Sequence, residues 1–161
     1  MVPRKNSEEI SSHESRVLDR NSEYLGISTL QLMENAGKAV SDEIAERCKP
    51  ESEIVVYAGS GRNGGDGMVA ARHLASRGCR VSLILVGSQN EIDDDSTLRN
   101  WRAIRAMSET VNIEVARDSS QISTRRCDAA VDALLGTGAR GSLRQPIRRA
   151  VEIFNEMKCF K

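Results

Sequence analysis

Apolar residues along this chain fall into short solid blocks and longer periodic stretches, and the two kinds alternate. Ile54-Val-Val-Tyr-Ala58, Val81-Ser-Leu-Ile-Leu-Val86 and Ala129-Ala-Val-Asp-Ala133 are brief runs with little polar interruption. Runs of that length, covered on both faces, are strands of a parallel sheet. Val111-Asn-Ile-Glu-Val115 alternates apolar with polar instead, as a strand nearer a sheet edge does. Elsewhere the apolar positions recur at helical spacing. Leu32, Ala36, Val40 and Ile44 make one stripe on a helix that starts at Ser28, a good N-cap, and runs to about residue 48, where Lys49-Pro50 stops it. Residues 68–75 are alanine-rich and free of proline, and Gly78 closes that helix. Leu98, Trp101 and Ile104 predict a helix over residues 96–108, with Trp101 as a packing residue. Pro146 opens a last helix that reaches about residue 157. Residues 17–21 belong to a short helix broken at Gly26, residues 117–126 carry at most one helical turn, and the polar residues 1–14 are expected to form a flexible tail, partly helical toward its end.

Strands alternating with helices predict an α/β domain with a parallel sheet and right-handed crossovers. Ligands of such sheets sit at the carboxyl ends of the strands, near the point where strand order reverses. Two glycine-rich stretches follow strands and therefore lie on that edge. The first is Gly59-Ser-Gly-Arg-Asn-Gly-Gly-Asp-Gly67, with five glycines in nine residues. Glycine permits positive φ and close approach of a ligand, and the helix that follows offers free N–H groups to an anion. Neither familiar fingerprint fits well. A P-loop needs Gly-Lys-Ser/Thr, and this stretch has no lysine; G-x-G-x-x-G can be laid on Gly59, Gly61 and Gly64, but Asp66 then puts a carboxylate at the helix start. Asp66 is an N-cap of that helix or, with Asn63, a polar group presented to a ligand. The second stretch is Leu134-Leu-Gly-Thr-Gly-Ala-Arg-Gly-Ser142, preceded by Asp132 at the end of its strand.

Composition narrows the picture. The chain has 161 residues, the size of one domain, and its core must be aliphatic because only 3% of residues are aromatic. Twenty-three basic residues balance 23 acidic ones, so no charge excess draws it to nucleic acid or an anionic membrane. Cys48, Cys79, Cys127 and Cys159 are scattered and form no C-x-x-C, so neither a zinc site nor a disulfide framework is expected, and reduced thiols fit a cytoplasmic protein. No apolar run approaches the roughly 20 residues of a membrane span, and the first 14 residues lack a signal-peptide core. The acidic run Asp93-Asp-Asp95 is expected at a helix start rather than on a metal. His13 and His73 make no evident dyad, and His73, mid-helix, is expected to be structural.

Three stretches together resemble the NAD(P)HX epimerase family, the YjeF N-terminal-type domain. They are the loop from Gly59 to Arg72, the segment Leu32-Met-Glu-Asn-Ala-Gly37, and Val131-Asp-Ala-Leu-Leu-Gly-Thr-Gly-Ala-Arg-Gly141. The resemblance implies a three-layer αβα Rossmann-like sandwich with a mainly parallel sheet. It implies interconversion of the R and S epimers of NADHX and NADPHX, the hydrated nicotinamide cofactors, in partnership with an ADP- or ATP-dependent NAD(P)HX dehydratase. Residues matched to its substrate loops are Arg62, Asn63, Gly64, Gly65, Asp66, Gly136, Thr137, Gly138, Ala139, Arg140, Gly141 and Ser142. Asn63 and Asp132 match its potassium ligands. A homodimer is a further expectation. The family has a small polar residue where Arg62 stands here, and Arg62 or Arg140 can supply a phosphate contact. It also continues into a strand with an Asp-x-Pro-Ser-Gly-type motif, absent through Lys161, so C-terminal strands of the fold are expected to be missing from this chain. No catalytic residue is named, because the acid–base aspartate of the family is expected in that strand.

The chemistry has its own logic. The hydrated carbon bears a hydroxyl beside a ring nitrogen. Loss of the hydroxyl gives an iminium-like cation that water re-enters from either face, and a carboxylate stabilises that cation and moves the proton. The competing reading is a nonenzymatic nucleotide-binding or dimerisation module of the same fold. An ordinary dinucleotide oxidoreductase is disfavoured, because Gly87-Ser88-Gln89 provides no acidic residue for a ribose after the second strand.

Overall fold

The structure, a computed structural model, describes residues 10–161. Four parallel strands form its sheet: β1 (Glu53–Ala58), β2 (Arg80–Val86), β3 (Val111–Ala116) and β4 (Ala129–Ala133). Their order is β3-β2-β1-β4, so the chain steps outward from β1 twice and then returns to its other side. The reversal lies between β1 and β4. There Tyr57 pairs with Asp132, Ala58 pairs with Ala133, and the N–H of Gly59 donates to the Ala133 carbonyl at 2.9 Å.

Among the described residues five α-helices complete the fold: α1 (Ser12–Tyr24), α2 (Thr29–Ala45), α3 (Arg62–Ser76), α4 (Asp95–Arg105) and α5 (Ile147–Glu156). Alternate residues of each strand point to opposite faces. Ile54, Val56, Ala58, Leu83 and Leu85 face α2, α3 and α4, where Met68, Leu74, Trp101 and Ile104 fill the core. Val55, Tyr57, Ile84 and Val86 face α5, against Ala150, Ile153 and Phe154. This is the expected three-layer sandwich, and Trp101 is the packing residue expected of it. Helix α1 stands outside these layers and buries none of its residues. No helix among the described residues is long and apolar enough to cross a membrane.

Helices α2 and α4 end about three residues earlier than expected, at Ala45 and Arg105, and two helix starts also differ from expectation. Helix α1 begins at Ser12, held by a reciprocal capping box in which the Ser11 side chain accepts from the Glu14 N–H and Glu14 accepts from the Ser11 N–H. Residues 12–14 are thus helical, as expected of the end of that stretch, and residues 1–9 lie outside the described residues. Helix α3 starts at Arg62, six residues before Met68. Most of the glycine stretch is thus helix, its N-cap is Gly61, and Asp66 sits inside the helix, so the N-cap reading of Asp66 is wrong.

Packing explains why a helix tolerates these glycines. A Cβ on Gly64 would run into the backbone of Gly59, one on Gly65 into Met33, and one on Gly67 into Ala133. A Cβ on Gly37 of α2 would meet Asp66 and Val69 of α3. Close approach of α3 to β1, β4 and α2 outweighs the roughly 1 kcal/mol that a helical glycine costs. Glu34 ties the same two helices from the side: it accepts from Arg72 and contacts His73 Nε2 at 2.7 Å, so His73 has the structural place expected of it.

Candidate functional site

At the reversal of strand order the loops after β1, β2 and β4 enclose a cleft of about 720 Å³. Residues 60–63 form one wall, residues 134–147 the other, and Gly87 and Glu91 the floor beyond β2. The N-terminus of α3 opens into it. Gly61, its N-cap, has no side chain to accept from the first-turn N–H groups, so these donors and the positive end of the helix dipole are left for a ligand. Gly61 and Gly138 have open space where a Cβ would stand, whereas Gly64 and Gly65 are buried. Glycine therefore plays two parts here: some positions let backbones touch, and others keep the cleft wide. Gly141, at φ +79°, also needs the left-handed backbone that glycine allows.

The two walls are joined directly. Asn63 Nδ2 donates to the Leu135 carbonyl at 3.0 Å. Asp132, three residues earlier, turns its Oδ1 to the Leu134 N–H at 2.9 Å and so shapes the exit from β4. Its side chain is exposed, and it stands outside the residues lining the cleft. Among the described residues no three His, Cys, Asp or Glu converge into a metal-binding group. A cation at this edge must draw on amide, carbonyl and single carboxylate oxygens. The Asn63 side-chain oxygen and the Asp132 carboxylate are such hard donors and suit a monovalent ion.

The matched residues divide between two places. The cleft gathers Arg62, Asn63, Gly136, Thr137, Gly138, Ala139, Arg140, Gly141 and Ser142. Gly64 and Gly65 support it from within α3. Asp66 lies elsewhere, in a smaller hollow of about 260 Å³ with Ser15, Asp19 and Glu23 of α1 and Met33 and Ala36 of α2. Arg62 borders both hollows.

Charge is unevenly handled across that border. Burial, and then the charges of Asp19 and Asp94, push the Asp66 carboxyl up to about 6. Asp94 goes the other way. Burial, its largest influence, raises it, but hydrogen bonds from Thr97 and Arg62 together hold it below its ordinary value. Arg62 Nε meets Asp94 Oδ2 at 2.9 Å, and that bond strengthens the arginine's hold on its proton. Asp94 is also the N-cap of α4, as expected for the acidic run.

Several lining residues lay beyond the sequence reading: Glu91, Arg144 and Gln145. Their signal was positional, since each follows β2 or β4 at the edge where parallel sheets take ligands. Glu91 is the carboxylate in the cleft wall, and it accepts from the Ser88 N–H at 3.2 Å.

The chain is similar to several known proteins. The chain is 46% identical over 146 residues to the bifunctional NAD(P)H-hydrate repair enzyme Nnr of Hyperthermus butylicus, covering 91% of this chain and 27% of that protein. It is 33% identical over 153 residues to the NAD(P)H-hydrate epimerase of Cenarchaeum symbiosum, covering 95% of this chain and 70% of that protein. The chain thus spans about a quarter of the length of the bifunctional relative. Its fold matches the crystal structure of yeast ynu0 with a TM-score of 0.76 at 22% identity, over 95% of this chain and 68% of that one. The sequence profile described as "YjeF-related protein N-terminus" matches residues 29–161, from the start of α2 through both walls of the cleft, and the chain belongs to that family.

Proposed function

We propose that this chain carries the epimerase half of NAD(P)H-hydrate repair, interconverting the R and S epimers of NADHX and NADPHX. The observation that carries the reading is the cleft at the β1–β4 reversal, with an uncapped helix N-terminus on one wall and a glycine loop on the other. Relatives named for NAD(P)H-hydrate epimerisation and repair match the chain across both walls. A dinucleotide needs such a place: its pyrophosphate takes the free N–H groups of α3, and Arg62 or Arg140 adds charge-assisted hydrogen bonds. The cleft volume of about 720 Å³ suits a large cofactor fragment.

Potassium belongs to the same proposal. The Asn63 oxygen and the Asp132 carboxylate are the donors assigned to it, and the ion supplies positive charge beside a polyanionic ligand. The chain's own residues bind and orient. Asn63 locks the two walls together, and the buried glycines set how deeply the ligand sits against α3. Epimerisation also needs a group that gives and takes a proton near neutrality. Asp66, held at about 6 by burial and then by Asp19 and Asp94, faces the neighbouring hollow rather than the cleft, so that role is not assigned to it. An NAD(P)HX dehydratase is the functional partner, because relatives such as the Hyperthermus butylicus protein are named as bifunctional repair enzymes.

The test starts from a single purified epimer of NADHX and follows the other by chromatography. The proposal expects equilibration to quicken in proportion to protein added, with potassium present. A rate equal to the protein-free control, at every protein concentration, overturns it.

A further inference from the structure

The four cysteines are far apart in sequence but not in space. Cys79 directly precedes β2, Cys127 lies two residues before β4, and Cys159 precedes Phe160, which bridges Ala129, so these three lie at the amino-terminal end of the sheet, opposite the cleft described above, and Cys48 packs against the same buried cluster as Cys79. Within this cluster Cys127 Sγ donates to Cys159 Sγ at 3.0 Å, and all four thiols are free.

That contact is framed by main chain rather than by a chance side-chain rotation. Phe160 forms a parallel bridge with Ala129, its N–H donates to the Asp128 carbonyl at 3.1 Å, and its carbonyl accepts from the Ala130 N–H at 2.8 Å. Cys127 and Cys159 each directly precede residues of this bridge, so the backbone holds their side chains against each other. The pair also opens to solvent: both cysteines line a surface hollow of about 460 Å³, together with Arg125, Arg126 and Lys158.

We infer that Cys127 and Cys159 are a redox pair, which a small anionic disulfide entering this hollow converts to an intrachain disulfide that staples the C-terminal segment to β4. The exchange balances. The Cys159 sulfur attacks one sulfur of the incoming disulfide and releases the first thiolate. The Cys127 sulfur then attacks the Cys159 sulfur of the mixed disulfide and releases the second. The two cysteines are oxidised, the small disulfide is reduced to two thiols, and those thiols take the two protons. Cys127 donates its S–H to the Cys159 sulfur, and burial, then that hydrogen bond, push Cys127 up to about 12, so Cys127 keeps its proton and serves as the resolving thiol, while the accepting Cys159 sulfur attacks first. The new bond closes the stretch of chain that holds β4, the glycine loop over the cleft and α5. It fixes Phe160 beside Ala129, and thiol redox state thereby sets how firmly the Phe160 segment pairs with the sheet.

The experiment incubates the chain with oxidised glutathione and reads intact mass, peptide linkage, melting temperature and amide exchange. The expected product is lighter by two hydrogen atoms and contains a linked peptide pair bearing Cys127 and Cys159. It melts higher by about 5 °C or more, and exchange at the Ala130 and Phe160 amides slows; dithiothreitol reverses each change. In Cys127→Ser, the expected product is a glutathione adduct held on Cys159. A wild-type product bearing only glutathione adducts, or linked through Cys48 or Cys79, overturns the pair. A linked product with unchanged exchange at Ala130 and Phe160 overturns the staple.

Discussion

The side-chain amide of Asn63, in the first turn of α3, donates to the main-chain carbonyl of Leu135 across 3.0 Å and binds the two walls of the cleft into one unit. The contact spans 72 residues of sequence and lies at the point where strand order reverses. Removing it by Asn63→Ala is expected to cost about 1 kcal/mol of stability, since one hydrogen bond from a partly exposed group is lost. Affinity for NADP is expected to fall further, by about tenfold, because the walls lose their register and the ligand loses an amide. Calorimetric titration beside thermal melts separates the two effects. Unchanged affinity would mean the tie serves folding alone.

Glycines 64 and 138 are expected to respond oppositely to a methyl group. Gly64→Ala pushes a Cβ into the Gly59 backbone, which has no room to retreat, so a loss of about 1–3 kcal/mol is expected. Gly138 has nothing within 4 Å of an added Cβ. Gly138→Val should therefore melt close to wild type while weakening dinucleotide binding by narrowing the cleft. A Gly64→Ala protein as stable as wild type would contradict the close-packing account of α3.

Asp66 predicts a pH dependence with a definite sign. Its folded pKa of about 6 lies above its ordinary value. The folded state therefore keeps a proton that the unfolded chain has lost, and stability present below the ordinary carboxylate range is lost as pH rises through about 6. Asp66→Asn has no such titration. Melting temperatures of wild type should fall relative to Asp66→Asn between about pH 4 and 7. Parallel curves for the two proteins would show that Asp66 is solvated.

Potassium exchange bears on Asp132. At constant ionic strength, replacing potassium with a bulky organic cation is expected to weaken NADP binding to wild type, since the Asp132 carboxylate then repels the ligand unscreened. In Asp132→Asn most of that dependence should vanish. Equal wild-type affinity in both salts would leave Asp132 with its visible task, capping the turn at Leu134.

Much of this fold was legible in the sequence. Three strands were marked by apolar runs and β3 by alternation, and Ser28 and Pro146 marked helix starts to within a residue because cap chemistry is local. The start of α3 was not legible. Glycine-rich sequence normally signals a loop, and only the approach of Gly59, Met33 and Ala133 shows why Gly64, Gly65 and Gly67 are helical. For the same reason the expectation of positive φ was misplaced: in that stretch the glycines serve contact, and positive φ occurs instead at Gly26, Gly78, Gly87 and Gly141. The motif order pointed to Asn63 and the loop at 136–142 as one site, and the structure joins them. Asp66, three residues from Asn63, turns to a different hollow because helical geometry, not proximity in sequence, decides which neighbours a side chain meets.

The most direct test of the central claim is an amide-resolved NMR titration of the chain with NADP in potassium buffer. The account predicts shifts concentrated at Gly61, Arg62 and Asn63 and at residues 136–142, with the Thr124–Cys127 hollow on the opposite end silent. Shifts absent from both cleft walls at saturating ligand, or confined to residues 124–127 and 156–159, would contradict it.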